Sequence, residues 1–223
     1  SRKSCPEGAA PAELWKLVVR SDLVHRMTTL LQRHWEGADT PACMLRSVAV
    51  PVPKKTKKTG PAAHRLVHVL TPSAKGWSNV LRERSELDNP WGQFAYQGGR
   101  GVRDAVLVRE IVSRSAAKST TVRFCFDLSE AFPSISHDKL ISRSASVGGD
   151  QSRARLILCS QAIEGEVQLT VGNEVAHYRM ASGVRQGDSS GPGLFTDLFG
   201  SPLAAFREEV SRVLRPVAFP PAD

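Results

Sequence analysis

Apolar residues recur at three- and four-residue steps between residues 11 and 36, at Leu14, Leu17, Val18, Leu23, Val24, Met27, Leu30 and Leu31. That spacing predicts one or two amphipathic helices that serve packing. The pattern then changes. Leu45 to Val52 is a short apolar run ended by Pro51 and Pro53, and Arg65 to Leu70 is another, so the two read as strands. Between them Lys54, Lys55, Lys57 and Lys58 with Thr59-Gly60-Pro61 make an exposed basic loop. A hairpin with such a tip can close over an anion. Thr71 before Pro72 supplies an N-cap and a proline at the first helical position, predicting a helix to about Leu87 that Asp88-Asn89-Pro90 stops. Gly98-Gly99-Arg100-Gly101 is a flexible basic loop ahead of a helix from Val102 to about Ser113. On that helix Val102, Ala105, Val106, Val108 and Ile111 mark an apolar stripe.

From Thr121 the texture alternates: Val122, Phe124 and Phe126 predict a strand, with Asp127 at its end and a turn beginning over Leu128 to Phe132. Ser136-His137-Asp138 opens a helix toward Ser146, and a further helix fills roughly Ser152 to Ile163. Glu166 to Val171 and Glu174 to Met180 read as a hairpin turned at Gly172-Asn173. Gly183 to Gly193 is loop-like, and a helix follows over about Leu194 to Leu214. There is no internal repeat and no low-complexity tract.

At 223 residues the chain holds one sizeable core or two small lobes. No run of ~18 consecutive apolar residues is present to span a bilayer, which sets a membrane aside. Cys5, Cys43, Cys125 and Cys159 stand singly, without zinc-ligand spacing, and read as reduced thiols inside a cell, nuclear or cytoplasmic. No signal peptide is visible, and the chain begins at Ser1 rather than Met, which suggests an excised piece. The net charge of +8 is uneven: residues 1–120 carry 20 Lys and Arg against 10 Asp and Glu, residues 121–223 carry 10 against 12. A basic first half suits a surface that meets phosphates, although a solvated basic face has the same composition.

An aspartate alone is most often a solvated surface group, but the neighbourhood of Asp127 singles it out. The run Phe124-Cys125-Phe126-Asp127-Leu128-Ser129-Glu130-Ala131-Phe132-Pro133-Ser134-Ile135 resembles motif A of reverse transcriptases. On either side, in family order, Val50-Pro51-Val52-Pro53-Lys54-Lys55 with Arg65-Leu66-Val67-His68-Val69-Leu70 and Lys75 is similar to the fingers motifs. Gln93-Phe94-Ala95-Tyr96 with Gly98 to Ala105 is similar to the next block, and Ser182-Gly183-Val184-Arg185-Gln186-Gly187-Asp188 through Pro192, with Leu194-Phe195, resembles motif B. Four ordered matches cover most of the chain. Their texture is that of non-long-terminal-repeat retrotransposons of the LINE type or of group-II-intron-like enzymes, between which the motifs do not choose.

The resemblance implies an α+β fold: reverse-transcriptase-like fingers over residues 1–120 and a partial palm over 121–223, its antiparallel sheet packed on helices. It implies an RNA-directed DNA polymerase, with Mg²⁺ as cofactor and an RNA template, a DNA primer and deoxynucleoside triphosphates as partners. Two-metal nucleotidyl transfer needs carboxylates held about the ions, because the metals activate the primer hydroxyl and stabilise charge on the leaving pyrophosphate. Asp127 is the implied catalytic residue and metal ligand, with the main-chain carbonyl of Phe126 a second oxygen for the same ion. Lys55 and Arg65 are the implied triphosphate contacts, the fork of Arg65 matching phosphate oxygens. Phe132 is placed against the sugar, where a ring excludes a 2′-hydroxyl. Gln186 and Gly187 lie at the nucleotide, and Gly183, Lys75 and Arg100 along the template and primer. Arg185 stands where the family often has Pro, and Asp188-Ser189-Ser190-Gly191 replaces its small and apolar residues, departures that bear on the rigidity of this loop. Motif C, an aromatic-x-Asp-Asp turn bearing the second carboxylate, is missing, and Asp197 reads as a helical surface or packing residue. The expectation is a segment that does not extend a primer alone, with motif C and a thumb encoded downstream of Asp223. The alternative is a non-catalytic nucleic-acid-binding or scaffolding remnant of the same fold.

Overall fold

The computed structural model describes residues 5–6, 9–55, 57, 59–87, 94–96, 98–116, 125, 127–128 and 130–213. The expected strand over residues 122–126, apart from Cys125, lies outside them, as do Phe126 and the Asp88-Asn89-Pro90 stop. The first apolar stretch forms α1 (Ala12–Val19) and α2 (Leu23–Trp35), followed by the short α3 (Ala42–Leu45). Of α1 and α2 only His34 and Trp35 are buried, while Leu14, Leu17, Leu23 and Leu30 stay exposed. Periodicity encodes a face and not its partner.

The two predicted strands form β1 (Ser47–Pro53) and β2 (His64–Leu70), antiparallel from Ser47 opposite Leu70 to Pro53 opposite His64. A single 3₁₀ turn, Gly60–Ala63, and a 2.7 Å bond from the Lys54 N–H to the Ala63 carbonyl close the basic tip. After α4 (Pro72–Ser85), α5 (Val102–Ala116), α6 (His137–Ala145) and α7 (Gly149–Ile163) come β3 (Glu166–Val171), β4 (Glu174–Arg179) and the long α8 (Gly191–Val213). Gly172 turns the β3–β4 hairpin at φ +61°. The sheet order is β2-β1-β3-β4. Two of its three pairings are antiparallel as expected; the third is not, because β1 pairs parallel with β3 over Ser47 to Ala49. This mixed sheet draws strands from both sides of residue 120. Pro51 and Pro53 fall beyond the stretch of β1 that meets β3, so their missing N–H groups cost that pairing nothing.

Capping follows the sequence signals. The Thr71 hydroxyl oxygen accepts from the Ala74 N–H at 3.2 Å, and the Ser136 hydroxyl oxygen accepts from the Lys139 N–H at 3.4 Å. α4 packs against α7 and α7 against α6, and Leu81, Leu140, Leu158 and Val184 share one core with Trp77. Tying α4, α6, α7 and α8 together, Arg155 is 1% exposed and bonds Asp197 at 3.2 Å, with Arg143 on the same carboxylate at 3.2 Å. Its other N–H groups donate to the Ser85 and Glu86 carbonyls, both at 2.8 Å, so Arg155 also satisfies the end of α4. Asp197 is therefore a buried ion-paired residue and not a surface one.

α5 departs from its expected role. The helix forms, yet none of its residues is buried, and Val102, Val106 and Ile111 are exposed.

Candidate functional site

One cleft of about 1370 Å³ dominates the described residues. Its walls come from distant parts of the chain: Lys54, Arg65 and His68 of the first hairpin, Arg82 and Glu86 at the end of α4, Tyr96, Glu130 and Phe132, Tyr178 and Arg179 of β4, and the loop from Ser182 to Ser189. Lys54, Arg65, Arg82, Arg179 and the buried Arg185 outnumber Glu86, Glu130 and Asp188, so the cleft favours an anion.

The 182–190 loop is fastened on two sides. Toward the turn after Asp127, the Ser182 hydroxyl donates to the Pro133 carbonyl at 2.8 Å, the Gly183 N–H to Ile135 at 2.7 Å and the Val184 N–H to Phe132 at 3.1 Å. The His137 Nε2–H donates to the Gly183 carbonyl at 2.9 Å. Gly183 sits at φ +86°, and a Cβ there would lie 2.6 Å from the Phe132 carbonyl oxygen and from Pro133 Cα. Toward β2, the His68 N–H donates to the Gln186 carbonyl at 2.6 Å, and a Cβ on Gly187 (φ +103°) would lie 2.5 Å from the His68 carbonyl oxygen. Both glycines are required by backbone conformation and by close approach.

Arg185 and Asp188 form a buried ion pair within this loop. The Arg185 guanidinium is fully buried and pairs with Asp188 at 3.4 Å, while Asp188 accepts from the Ser190 N–H at 3.0 Å and hydroxyl at 2.9 Å, just ahead of α8. Arg185 reaches the α7–β3 junction, where a Cβ added to Gly165 would lie 3.1 Å from its Nη1. Burial holds this guanidinium below its ordinary range, with Asp188 opposing.

Two histidines carry the acid sensitivity of the fold. His68 Nδ1–H faces the Gln186 carbonyl at 3.3 Å. Burial pulls the imidazole below its ordinary 6.5, Gln186 opposes this, Arg185 adds to it and Asp188 opposes again. His34 accepts at Nδ1 from the Trp77 indole N–H at 3.0 Å, which fixes the proton on Nε2, toward Thr40 at 2.9 Å. Burial again lowers this pKa, with Glu164 opposing. Because both are depressed in the folded state, the unfolded chain takes up more protons below about 6.5, and stability falls as the pH drops through that value. Urea midpoints measured from about pH 7.5 to about pH 5 are expected to decline, and His34→Gln with His68→Gln is expected to flatten the slope.

Among the residues singled out from sequence, Arg65, Phe132, Gln186 and Gly187 line the cleft together. Lys55 is exposed and does not line it, whereas its neighbour Lys54 does; Lys75 and Arg100 are exposed and also lie off its walls. Gly183 is buried one layer behind, in the fastening to Phe132 and Pro133. Asp127 is exposed and does not itself line the cleft, although Glu130, three residues on, does. Among the described residues no three His, Cys, Asp or Glu side chains gather as metal ligands, so this set by itself does not fit a Mg²⁺ ion. Phe132 is half-buried, 5.4 Å from the Phe195 ring and 6.4 Å from Tyr96 at 84°. Glu86, Tyr96 and Glu130, at φ 42°, 60° and 52°, are the described non-glycine residues in the left-handed region, and all three line the cleft. Such strain concentrates at functional sites. Sequence reading gave these residues, His68 and Tyr178 no role in a site.

No helix among the described residues is long and apolar enough to cross a membrane. No protein-family model matches the chain, and no curated protein does. Among solved structures, the fold is similar to that of an apo telomerase from Candida tropicalis truncated from its C-terminal domain, with a TM-score of 0.51 and 13% identity. The likeness covers 81% of this chain and 43% of that one, so the chain spans less than half of the structure it resembles. At that identity the common ground is the fold alone: this chain is a mixed α/β chain with a four-stranded sheet among its described residues, similar in fold to that telomerase.

Proposed function

We propose that the cleft is the nucleotide and nucleic-acid site of a reverse-transcriptase-like polymerase, with fingers over residues 1–120 and part of the palm over 121–223. The observation that carries this reading is the convergence of Arg65, Phe132, Gln186 and Gly187, 122 residues apart at the extremes, on one basic cleft. Arg65 and Lys54 meet the triphosphate, Phe132 meets the sugar, and Gln186 approaches the base pair on a loop that Gly183 and Gly187 let lie close to its neighbours. An RNA template, a DNA primer and deoxynucleoside triphosphates are the partners, and a retroelement of the LINE or group-II-intron type is the source the motifs favour. Mg²⁺ belongs to the complete site of this reading. Asp127 is the one described residue assigned to it, and further oxygens must come from elsewhere.

In the complete protein, Asp127→Ala is expected to abolish Mg²⁺-dependent extension of a DNA primer on RNA while changing template–primer affinity by less than about twofold. Arg65→Ala is expected to raise the KM for deoxynucleoside triphosphates about tenfold, the loss of a charge-assisted phosphate contact. Extension by Asp127→Ala at the wild-type rate would overturn the polymerase reading.

The exposure of Asp127 and the absence, among the described residues, of any group of three His, Cys, Asp or Glu side chains placed to hold a metal favour a second reading, a nucleic-acid-binding domain without catalysis. It stands if the complete wild-type protein binds template–primer and extends nothing.

A further inference from the structure

Tyr96 has no function in the reading above, yet its circumstances are unusual for an aromatic residue. The residue is 70% exposed, its backbone is left-handed at φ +60°, and it lines the cleft. An exposed ring forgoes burial, and a non-glycine residue in that region adds backbone strain. Neither cost serves the core.

The ring is nevertheless held. It stands at 84° to Phe132, which lies 5.4 Å from Phe195, which stacks at 5.6 Å and 10° on Phe199. Phe132 and Phe195 pack against the main hydrophobic core, so the row anchors Tyr96 from behind while most of its surface faces outward. Around the same cleft stand Lys54, Arg65, Arg82 and Arg179. The chain has only two tyrosines, and the second, Tyr178, also lines the cleft. A rigid exposed aromatic ring amid cations is the arrangement that binds an unpaired nucleobase: the ring stacks on the base and the cations meet the flanking phosphates.

We propose that Tyr96 is a stacking platform for an unpaired nucleobase of a nucleic-acid strand entering the cleft. This rests on the nucleic-acid reading above and adds to it the group that meets a base. Stacking tolerates any base, so Tyr96 contributes affinity for single strands without sequence preference, whereas the cations supply the salt-dependent part.

The test uses a fluorescein-labelled oligouridylate of about 12 nucleotides and an abasic strand of the same length, with affinity read by anisotropy at several salt concentrations. Tyr96→Asn removes the ring and keeps a residue that accepts the left-handed backbone, so the fold is retained. Its affinity for the oligouridylate is expected to fall about tenfold, with the salt slope unchanged, while its affinity for the abasic strand matches wild type. Tyr96→Trp is expected to restore binding. Equal affinity of Tyr96→Asn and wild type for the oligouridylate, or equal losses on both strands, overturns the platform while leaving nucleic-acid binding in place. If wild type binds neither strand, the nucleic-acid reading itself fails and the platform with it.

Discussion

Asp197→Ala is expected to destabilise the fold by about 3–5 kcal/mol, because it strips the counter-charge from Arg155 in the interior. The pair is 1% and 4% exposed at its side chains, so water cannot take the place of the carboxylate. Arg143, on the same carboxylate, is a third exposed; Arg155 is buried and is also held by the carbonyls at the end of α4. Asp197→Asn keeps an oxygen acceptor and loses the charge, and is expected to cost about half as much. Arg155→Met is expected to be as severe as Asp197→Ala, because it leaves the Ser85 and Glu86 carbonyls without their donor and the buried carboxylate with Arg143 alone. Urea unfolding at constant slope reads all three. A loss below about 1 kcal/mol for Asp197→Ala would mean that the pair is not desolvated. The network also bears on the cleft. Arg155 fixes the carbonyl of Glu86, whose left-handed backbone forms part of the cleft wall, so the same variant is expected to disturb ligand binding beyond its effect on folded fraction.

Local elements were legible because their signals are local. The Thr71-Pro72 cap, the Ser136 cap, the Gly172 turn and the apolar spacing of α2 each specify a conformation within a few residues. Sheet order was not legible. The parallel pairing of β1 with β3 joins Ser47 to Val167, and no periodicity within either strand announces a partner so far away in the chain. The burial of Asp197 was hidden for the same reason: its helix reads alike whether Arg155 or water lies opposite.

In the site, motif order singled out Arg65, Phe132, Gln186 and Gly187, which line one cleft. Lys55, singled out with them, does not line the cleft, whereas its neighbour Lys54 does. Tyr96 and Glu86 carry their signal in exposure and in φ, neither of which a residue type discloses. Arg185 looked like a departure that loosened the loop. In three dimensions it is buried, pairs with Asp188 at 3.4 Å and reaches toward Gly165.

Gly183→Ala tests whether the fastening of this loop matters as much as its chemistry. At φ +86° an alanine is strained by about 1–3 kcal/mol before any contact is considered. Its methyl group would then lie 2.6 Å from the Phe132 carbonyl oxygen and Pro133 Cα, both main-chain atoms that cannot rotate aside. Relief requires the loop to withdraw from the Phe132–His137 turn, which breaks the bonds from the Gly183 and Val184 N–H groups and the one from His137. The expected result is a loss of stability of about 2–4 kcal/mol together with a drop in cleft affinity that exceeds the change in folded fraction, since Phe132 and Gln186 no longer hold a common frame. Gly187→Ala makes the matched comparison on the β2 side: its strain is of the same kind, but Gly187 is exposed and the clash is with the His68 carbonyl. The loop can swing outward there, so a smaller stability loss is expected with a similar loss of affinity. Equal stability losses for the two variants would show that strain alone, and not the buried fastening at Phe132, decides the outcome.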